Sequence, residues 1–194
     1  MKEYLFDEKT GKYISEKEAN IDSWMTEIKG EPVYWLYPFA TFEVPPEKEG
    51  FTAYYRGAGW ELVADPTLDE LKALKLKEIG AWTAGKIVGG FVSSASGEEV
   101  TYDSDKDTQI TMTGISVNVE TDTFAKNYPD GCPVRGYAKG SDVKEVFYLS
   151  PKEVLQWMAD LYMHVGTCKM LGWQKQQEVS KAKTQKQLEA IILE

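Results

Sequence analysis

The feature of the sequence that most limits its fold is a concentration of aromatic residues near the start of the chain. Thirteen of its 24 aromatic residues lie in residues 1–66. A domain this small has little other apolar surface to bury, so most of these rings are expected to build its core. One or two exposed rings could instead form a shelf that binds a carbohydrate or a protein partner.

Two pairs of short runs within this region predict β-hairpins. Residues 4–6 and 13–14 have strand-like composition, and the turn between them ends at Gly11, which supplies a positive φ. Residues 51–55 and 60–63 predict a second hairpin around an Arg-Gly-Ala-Gly turn. The sequence therefore predicts an antiparallel module.

A third aromatic strand is expected between these hairpins. Residues 33–37 read Val-Tyr-Trp-Leu-Tyr, a composition typical of strands. Pro38 ends the predicted ladder, because proline cannot donate a backbone hydrogen bond. The pair Pro45-Pro46 then forces an extended turn. Together these signals define an aromatic β module over residues 1–66.

The composition changes after Pro66, where a helix is predicted. Thr67 and Glu70 have the spacing of a capping box, and an apolar stripe follows through Leu68, Leu71 and Leu74. We interpret residues 67–83 as a linker helix that connects the β module to a second domain over residues 84–194.

The first half of the second domain has mainly β signals. Strands are predicted over residues 86–92, 99–102 and 143–149. Residues 109–119 are ambiguous: their Ile, Thr and Val content favours a strand, whereas Ile110, Gly114 and Val117 share one helical face.

Helices are predicted over residues 150–172 and 184–193. Ser150 and Glu153 form a capping box with proline at the first helical position, and Gly166 and Gly172 weaken or end the helix. A seam with 4-3-4-3 spacing follows the cap; such a seam is more often an intramolecular core than an oligomer interface. Its residues are Val154, Met158, Leu161, Val165 and Cys168.

Charge and composition exclude several classes of protein. The net charge is −9 and the pI is near 4.8, so a nucleic-acid backbone is not an expected partner. No run of 18 or more apolar residues is present, and the N-terminus lacks an apolar signal core. We therefore expect no membrane span and a cytoplasmic protein. The predicted strands and helices place it in the α+β class. The two cysteines have neither a disulfide framework nor a zinc spacing.

Acidic residues and the single histidine are the candidates for chemistry. Asp103, Asp105 and Asp107 alternate like the start of an EF-hand loop, but the glycine and glutamate that such a loop requires are missing. We interpret them as a turn and helix cap, and keep them only as weak metal candidates. His164 and Cys168 lie one helical turn apart, and we expect a packed histidine there rather than a Cys–His nucleophile. No catalytic or phosphate-binding motif appears, so we predict neither enzyme activity nor a cofactor.

The order and spacing of four segments resemble the N-terminal module of bacteriophage tail-fibre assembly and accessory proteins. These are residues 4–14, 36–41 (Leu-Tyr-Pro-Phe-Ala-Thr), 44–46 (Val-Pro-Pro) and 59–65 (Gly-Trp-Glu-Leu-Val-Ala-Asp). From about Leu68 to Leu193 the chain is similar to an uncharacterised domain family of phage and prophage tail proteins.

The second resemblance rests on motifs in a fixed order. They are a leading Lys- and Glu-rich helix, Gly-Phe-Val-Ser-Ser at 90–94, Tyr-Asp-Ser-Asp at 102–105, Thr-Gln at 108–109, Gly114, Leu-Ser-Pro-Lys-Glu at 149–153, and Thr184 leading to Leu-Glu-Ala-Ile at 188–191. The family more often has Ser at position 108 and an Ala-rich stretch after Gly114. The resemblance alone favours a helix beginning near residue 109.

The two resemblances imply a non-catalytic tail-fibre accessory protein that assists fibre folding or stays bound to the fibre. A structural component of the tail tip, baseplate or fibre is the alternative, and an acidic inhibitor of a host defence is a remote one. Expected partners are a tail protein and, through the seam, further copies in a trimer. The candidate interface residues are Tyr34, Trp35, Tyr37, Phe39, Trp60, Val154, Met158, Leu161 and Val165.

Overall fold

The computed structural model describes all residues, Met1–Glu194, and divides into two compact units. The first unit is Met1–Thr67 and the second is Leu68–Glu194. Both helices and antiparallel sheets are present, which confirms the predicted α+β class. None of the six helices combines the length and the apolar character needed to cross a bilayer.

The N-terminal hairpin forms as predicted. Strands β1 (Lys2–Phe6) and β2 (Tyr13–Glu18) pair antiparallel, with a register shift between Leu5 and Phe6. The short strand β3 (Ala40–Thr41) adds to the other edge of β1, so the order is β2-β1-β3. Gly11 has φ 75°, and a Cβ there would lie 2.3 Å from the carbonyl oxygen of Tyr55, so both conformation and space require glycine.

The predicted strand over residues 33–37 is wrong: this segment has no regular secondary structure and follows helix α1 (Ser23–Lys29). Only one bridge forms, between Ile21 and Tyr34. The carboxylate of Asp22 accepts a hydrogen bond from the N–H of Met25, and Gly30 ends the helix at φ 69°. These are ordinary start and stop signals that the sequence contains.

The second hairpin also forms as predicted. Strand β4 (Phe51–Tyr55) pairs antiparallel with β5 (Trp60–Ala64), and Tyr55 lies opposite Trp60. A bridge between Lys12 and Tyr54 joins this hairpin to the first one. The first unit therefore consists of two small connected sheets and one short helix.

Helix α2 (Leu68–Val88) is not a linker over residues 67–83. It belongs to the second unit, where it packs along helix α5 (Pro151–Lys181). Its Ile79 is fully buried in a cluster with Val179 and Leu188. The helix also includes residues 86–88, so the strand predicted over 86–92 is reduced to its C-terminal part.

A four-stranded antiparallel sheet forms the other half of the second unit. Its order is β6 (Phe91–Ser93), β7 (Val100–Tyr102), β8 (Cys132–Ala138) and β9 (Lys144–Leu149). Between β7 and β8 the chain forms helices α3 (Lys106–Asn118) and α4 (Asp122–Asn127). The ambiguous segment 109–119 is therefore almost entirely helical.

Helix α5 has 31 residues and continues nine residues past its predicted end at Gly172. Gly172 lies against α2, where an added Cβ would be 2.4 Å from the Oγ1 of Thr83. This glycine permits close helix packing rather than ending the helix. The last helix, α6 (Gln185–Glu189), is shorter than the predicted 184–193, and its N-cap is Thr184.

The coiled-coil-like seam of α5 faces the core of its own unit. Val154, Met158 and Leu161 are buried against the sheet, in a cluster that includes Phe91 and Tyr102. Val165 is partly buried against the same cluster. Because the chain itself covers them, these residues are not available as the trimer interface that their spacing allowed.

Candidate partner-binding surface

The first unit exposes half of its large apolar side chains. Among its hydrophobic residues, only Tyr4 and three alanines are buried. The expected core forms only in part, because one of the 13 rings is buried, seven are half-buried and five are exposed. The exposed apolar residues of the unit are Met1, Ile14, Ile21, Trp24, Ile28, Trp35, Leu36, Tyr37, Phe39, Phe42, Val44 and Val63. Scattered exposed apolar residues are ordinary, whereas a continuous run of them, as over residues 35–39, is typical of a surface that contacts a partner.

We call residues 33–39 the aromatic segment. Its Trp35 is 60% exposed and Phe39 is 46% exposed, whereas Tyr34 is half-buried. Residues 33–42 contain no charged side chain, although Glu31 and Glu43 flank them. Large aromatic side chains, Trp and Tyr above all, are among the residues that most often anchor protein interfaces.

A buried carboxylate holds this segment in place. Glu3 on β1 is fully buried, and its Oε2 accepts a hydrogen bond from the backbone N–H of Tyr37 over 3.1 Å. Its Oε1 lies 3.4 Å from the Nζ of Lys17 on β2. The same Nζ stands 3.3 Å from the centre of the Tyr37 ring, and Asn20 donates a hydrogen bond to the Tyr37 hydroxyl. Tyr37 is thus fixed through its backbone, its ring and its hydroxyl.

The other end of the segment is fixed at Phe39. This is the one residue other than glycine with a positive φ, 59°. Its carbonyl oxygen accepts a hydrogen bond from the N–H of Phe6, and its ring meets that of Phe6 edge-on at 6.5 Å. An aromatic residue in left-handed backbone is strained, and such strain often marks a functional position.

Trp60, another predicted interface residue, is packed in a ring cluster. Its ring meets those of Phe6, Tyr13 and Tyr55 at 5.4–6.2 Å between centroids, and its indole N–H donates to the carbonyl oxygen of Glu43. The cluster stabilises the two hairpins where they meet. Of the predicted candidates in this unit, Trp35, Tyr37 and Phe39 are exposed, while Tyr34 and Trp60 are half-buried.

Sequence reasoning missed two parts of this surface. Trp24 and Ile28 are exposed one turn apart on α1, a helix that the Asp22 and Gly30 signals could have revealed. Glu3 gives no such signal, because a carboxylate on a predicted strand is normally solvated. Only the fold places it beneath the aromatic segment.

Of the three aspartates kept as weak metal candidates, two have structural roles and the third, Asp107, has no partner for its carboxylate. Asp103 forms an ion pair with Lys144, and Asp105 caps α3 by accepting hydrogen bonds from the backbone of residues 107 and 108. The Thr108 hydroxyl also donates to Asp105, and these bonds lower the pKa of its carboxyl. No group of three His, Cys, Asp or Glu residues could hold a metal ion.

His164 caps the end of α2. Its Nε2 lies 3.1 Å from the carbonyl oxygen of Lys86 and 3.3 Å from that of Ile87. The buried thiol of Cys168 is 3.8–3.9 Å from the imidazole nitrogens. The same two carbonyl oxygens also accept from the N–H of Gly89 and the hydroxyl of Ser104, so the ring is one of several groups that pack around the end of α2, and the cysteine is enclosed beside it.

No protein-family model, curated protein sequence or solved structure matches this chain. The resemblance to phage tail proteins therefore stays a prediction.

Proposed function

We propose that this chain is a non-catalytic accessory protein of a phage or prophage tail fibre. Two things support the proposal: the sequence resemblance, and the aromatic segment that the first unit holds exposed. The exposed segment is the observation that carries it, because a partner surface is the simplest role for rings that the chain itself leaves uncovered.

The mechanism that we propose is physical. The aromatic segment covers apolar patches or unpaired strand edges of the fibre chain until the fibre has assembled. Glu3 and Lys17 keep the segment in its binding conformation, so little entropy is lost when the partner docks. The protein would act in the cytoplasm of the host bacterium during assembly, or remain with the tail.

A structural component of the tail tip, baseplate or fibre is the second candidate. The fixed backbone of the segment favours it, since a preformed surface also suits a permanent interface between subunits. The acidic character of the chain and the burial of the α5 seam give no support to a role in nucleic-acid binding or to a trimer built on that seam.

Quantitative mass spectrometry of purified tail particles, with cell lysate as control, tests the proposal. An accessory protein that leaves after assembly is abundant in lysate and absent or substoichiometric in particles, whereas one that stays bound to the fibre is retained in particles; in both cases deleting its gene lowers the yield of assembled fibres. A structural component is present at fixed stoichiometry. If the chain is absent from particles and its deletion leaves fibre yield unchanged, both versions are wrong.

A further inference from the structure

A cleft in the second unit lies between helix α3 and strand β8. Its volume is about 310 Å³, at the lower end of the roughly 300–1,000 Å³ typical of small-molecule sites. It lies well away in sequence from the aromatic segment, and the proposed tail function makes no use of it.

The floor of the cleft is apolar. Tyr102, Met112, Val134 and Trp157 line it, and each is buried in the core of the unit. The indole N–H of Trp157 is buried and has no acceptor among the atoms of the protein. An apolar side chain placed here would contact aromatic and aliphatic surface without displacing a charged group.

Opposite charges stand on the two sides of the cleft. Asp107 lines it from the first turn of α3, and Arg135 lines it from β8. The carboxylate of Asp107 accepts no hydrogen bond, and the guanidinium of Arg135 forms no ion pair or hydrogen bond. They are therefore not paired with each other. The third charged residue of the lining, Asp103, is neutralised by Lys144.

We propose that this cleft binds a small zwitterion with an apolar side chain, such as an aromatic or branched aliphatic amino acid. Arg135 pairs with its carboxylate, Asp107 pairs with its ammonium group, and the side chain rests on Met112 and Trp157. Both unpaired charges and the apolar floor are then satisfied by one molecule.

Three probes with the same phenyl ring test the proposal. L-Phenylalanine has both charged groups, 3-phenylpropionate has only the carboxylate, and 2-phenylethylamine has only the ammonium group. Each is titrated into the full chain while two-dimensional NMR follows the indole N–H of Trp157, assigned with Trp157→Phe. We expect saturable shifts with L-phenylalanine, and affinities about tenfold lower for the two singly charged probes, each of which lacks one charge-assisted contact.

Two variants test the ammonium contact and the carboxylate contact separately. Asp107→Asn should weaken L-phenylalanine about tenfold and leave 3-phenylpropionate unchanged, and Arg135→Gln should weaken L-phenylalanine about tenfold and leave 2-phenylethylamine unchanged. Asp122→Asn, at the start of α4, and Arg56→Gln, in the first unit, are controls that should change nothing. Both test positions are exposed, so folding should be preserved, and thermal unfolding checks this.

The proposal is overturned if no probe shifts the Trp157 signal at concentrations up to about 10 mM. Equal affinity for all three probes would also overturn it, because the charges would then contribute nothing. The same holds if the two variants weaken every probe alike.

Discussion

The buried carboxylate of Glu3 accepts a hydrogen bond from the backbone N–H of Tyr37 over 3.1 Å, across 34 residues of sequence. This contact ties the aromatic segment to the first strand of the chain. Because the second oxygen of the same carboxylate faces Lys17, the segment and the N-terminal hairpin share one ionic anchor. The exposed rings of Trp35 and Phe39 are therefore presented on a fixed backbone.

Removing the anchor's cation should destabilise the first unit. Lys17→Met leaves the carboxylate of Glu3 buried without a counter-charge. Breaking a fully buried pair costs about 3–5 kcal/mol, and we expect about 2 kcal/mol because Lys17 is partly exposed. Lys2→Met removes the cation of the exposed pair with Glu16, which solvent screens, and should cost much less than Lys17→Met. Urea unfolding of both variants checks this, and equal losses would contradict the role of Glu3.

Relieving the backbone strain at Phe39 should offset the loss of its ring contact. Phe39→Gly relieves about 1–2 kcal/mol of backbone strain, because glycine adopts the left-handed conformation freely. It also loses the edge-on ring contact with Phe6, which contributes about 1 kcal/mol, so the free energy of unfolding should hardly change. Phe42→Gly, at an exposed position without positive φ, gains no such relief and should be destabilising. Thermal unfolding compares the two variants. A larger loss from Phe39→Gly would mean that its backbone is not strained.

The two glycines of α5 should respond oppositely to alanine. Gly166 has open space around it, so Gly166→Ala should stabilise the helix by about 0.5–1 kcal/mol. Gly172→Ala places a methyl group against Thr83 and should destabilise by about 1–3 kcal/mol. Chemical denaturation measures both. Adding Thr83→Ala to Gly172→Ala removes the side chain that the new methyl group meets, and should recover part of the loss. If both glycine variants are stabilised, α2 and α5 do not pack this closely.

Acid should weaken the start of α3. The Thr108 hydroxyl and nearby backbone N–H groups hold the pKa of Asp105 below its ordinary value of 3.8. A lowered folded-state pKa means that this stabilisation is present above the unfolded pKa and is lost as pH falls through the folded value. The free energy of unfolding should therefore decline below about pH 4, and less so in Asp105→Asn. Asp107→Asn, whose side chain caps nothing, is the control. Identical pH profiles for Asp105→Asn and the parent chain would contradict the prediction.

Local signals predicted the elements that local chemistry decides. The two N-terminal hairpins follow their turn residues, and α5 begins where Glu153 reaches back to the N–H of Ser150. By contrast, Gly172 reads as a helix end in the sequence. Only the neighbouring α2 explains why glycine is needed inside the helix.

The candidate site was predictable only in part. The sequence identified Trp35, Tyr37 and Phe39 as interface residues, but it also expected most aromatic rings to be buried. Burial depends on how much of a sheet is covered, and the sheets of the first unit are too small to enclose their rings. The spacing of the α5 seam favoured an intramolecular core over an oligomer interface, and the seam does lie in the core of its own unit.

The measurement that tests the central claim most directly is co-purification of the tail-fibre protein of the same phage or prophage with matched tryptophan variants. Trp35 and Trp173 are equally exposed, at 60%, but only Trp35 lies in the aromatic segment. We expect Trp35→Ala to lose most of the bound fibre protein while Trp173→Ala retains it, with both variants folded. Retention by Trp35→Ala, or no binding by the parent chain, would contradict the assignment of this surface to a fibre partner.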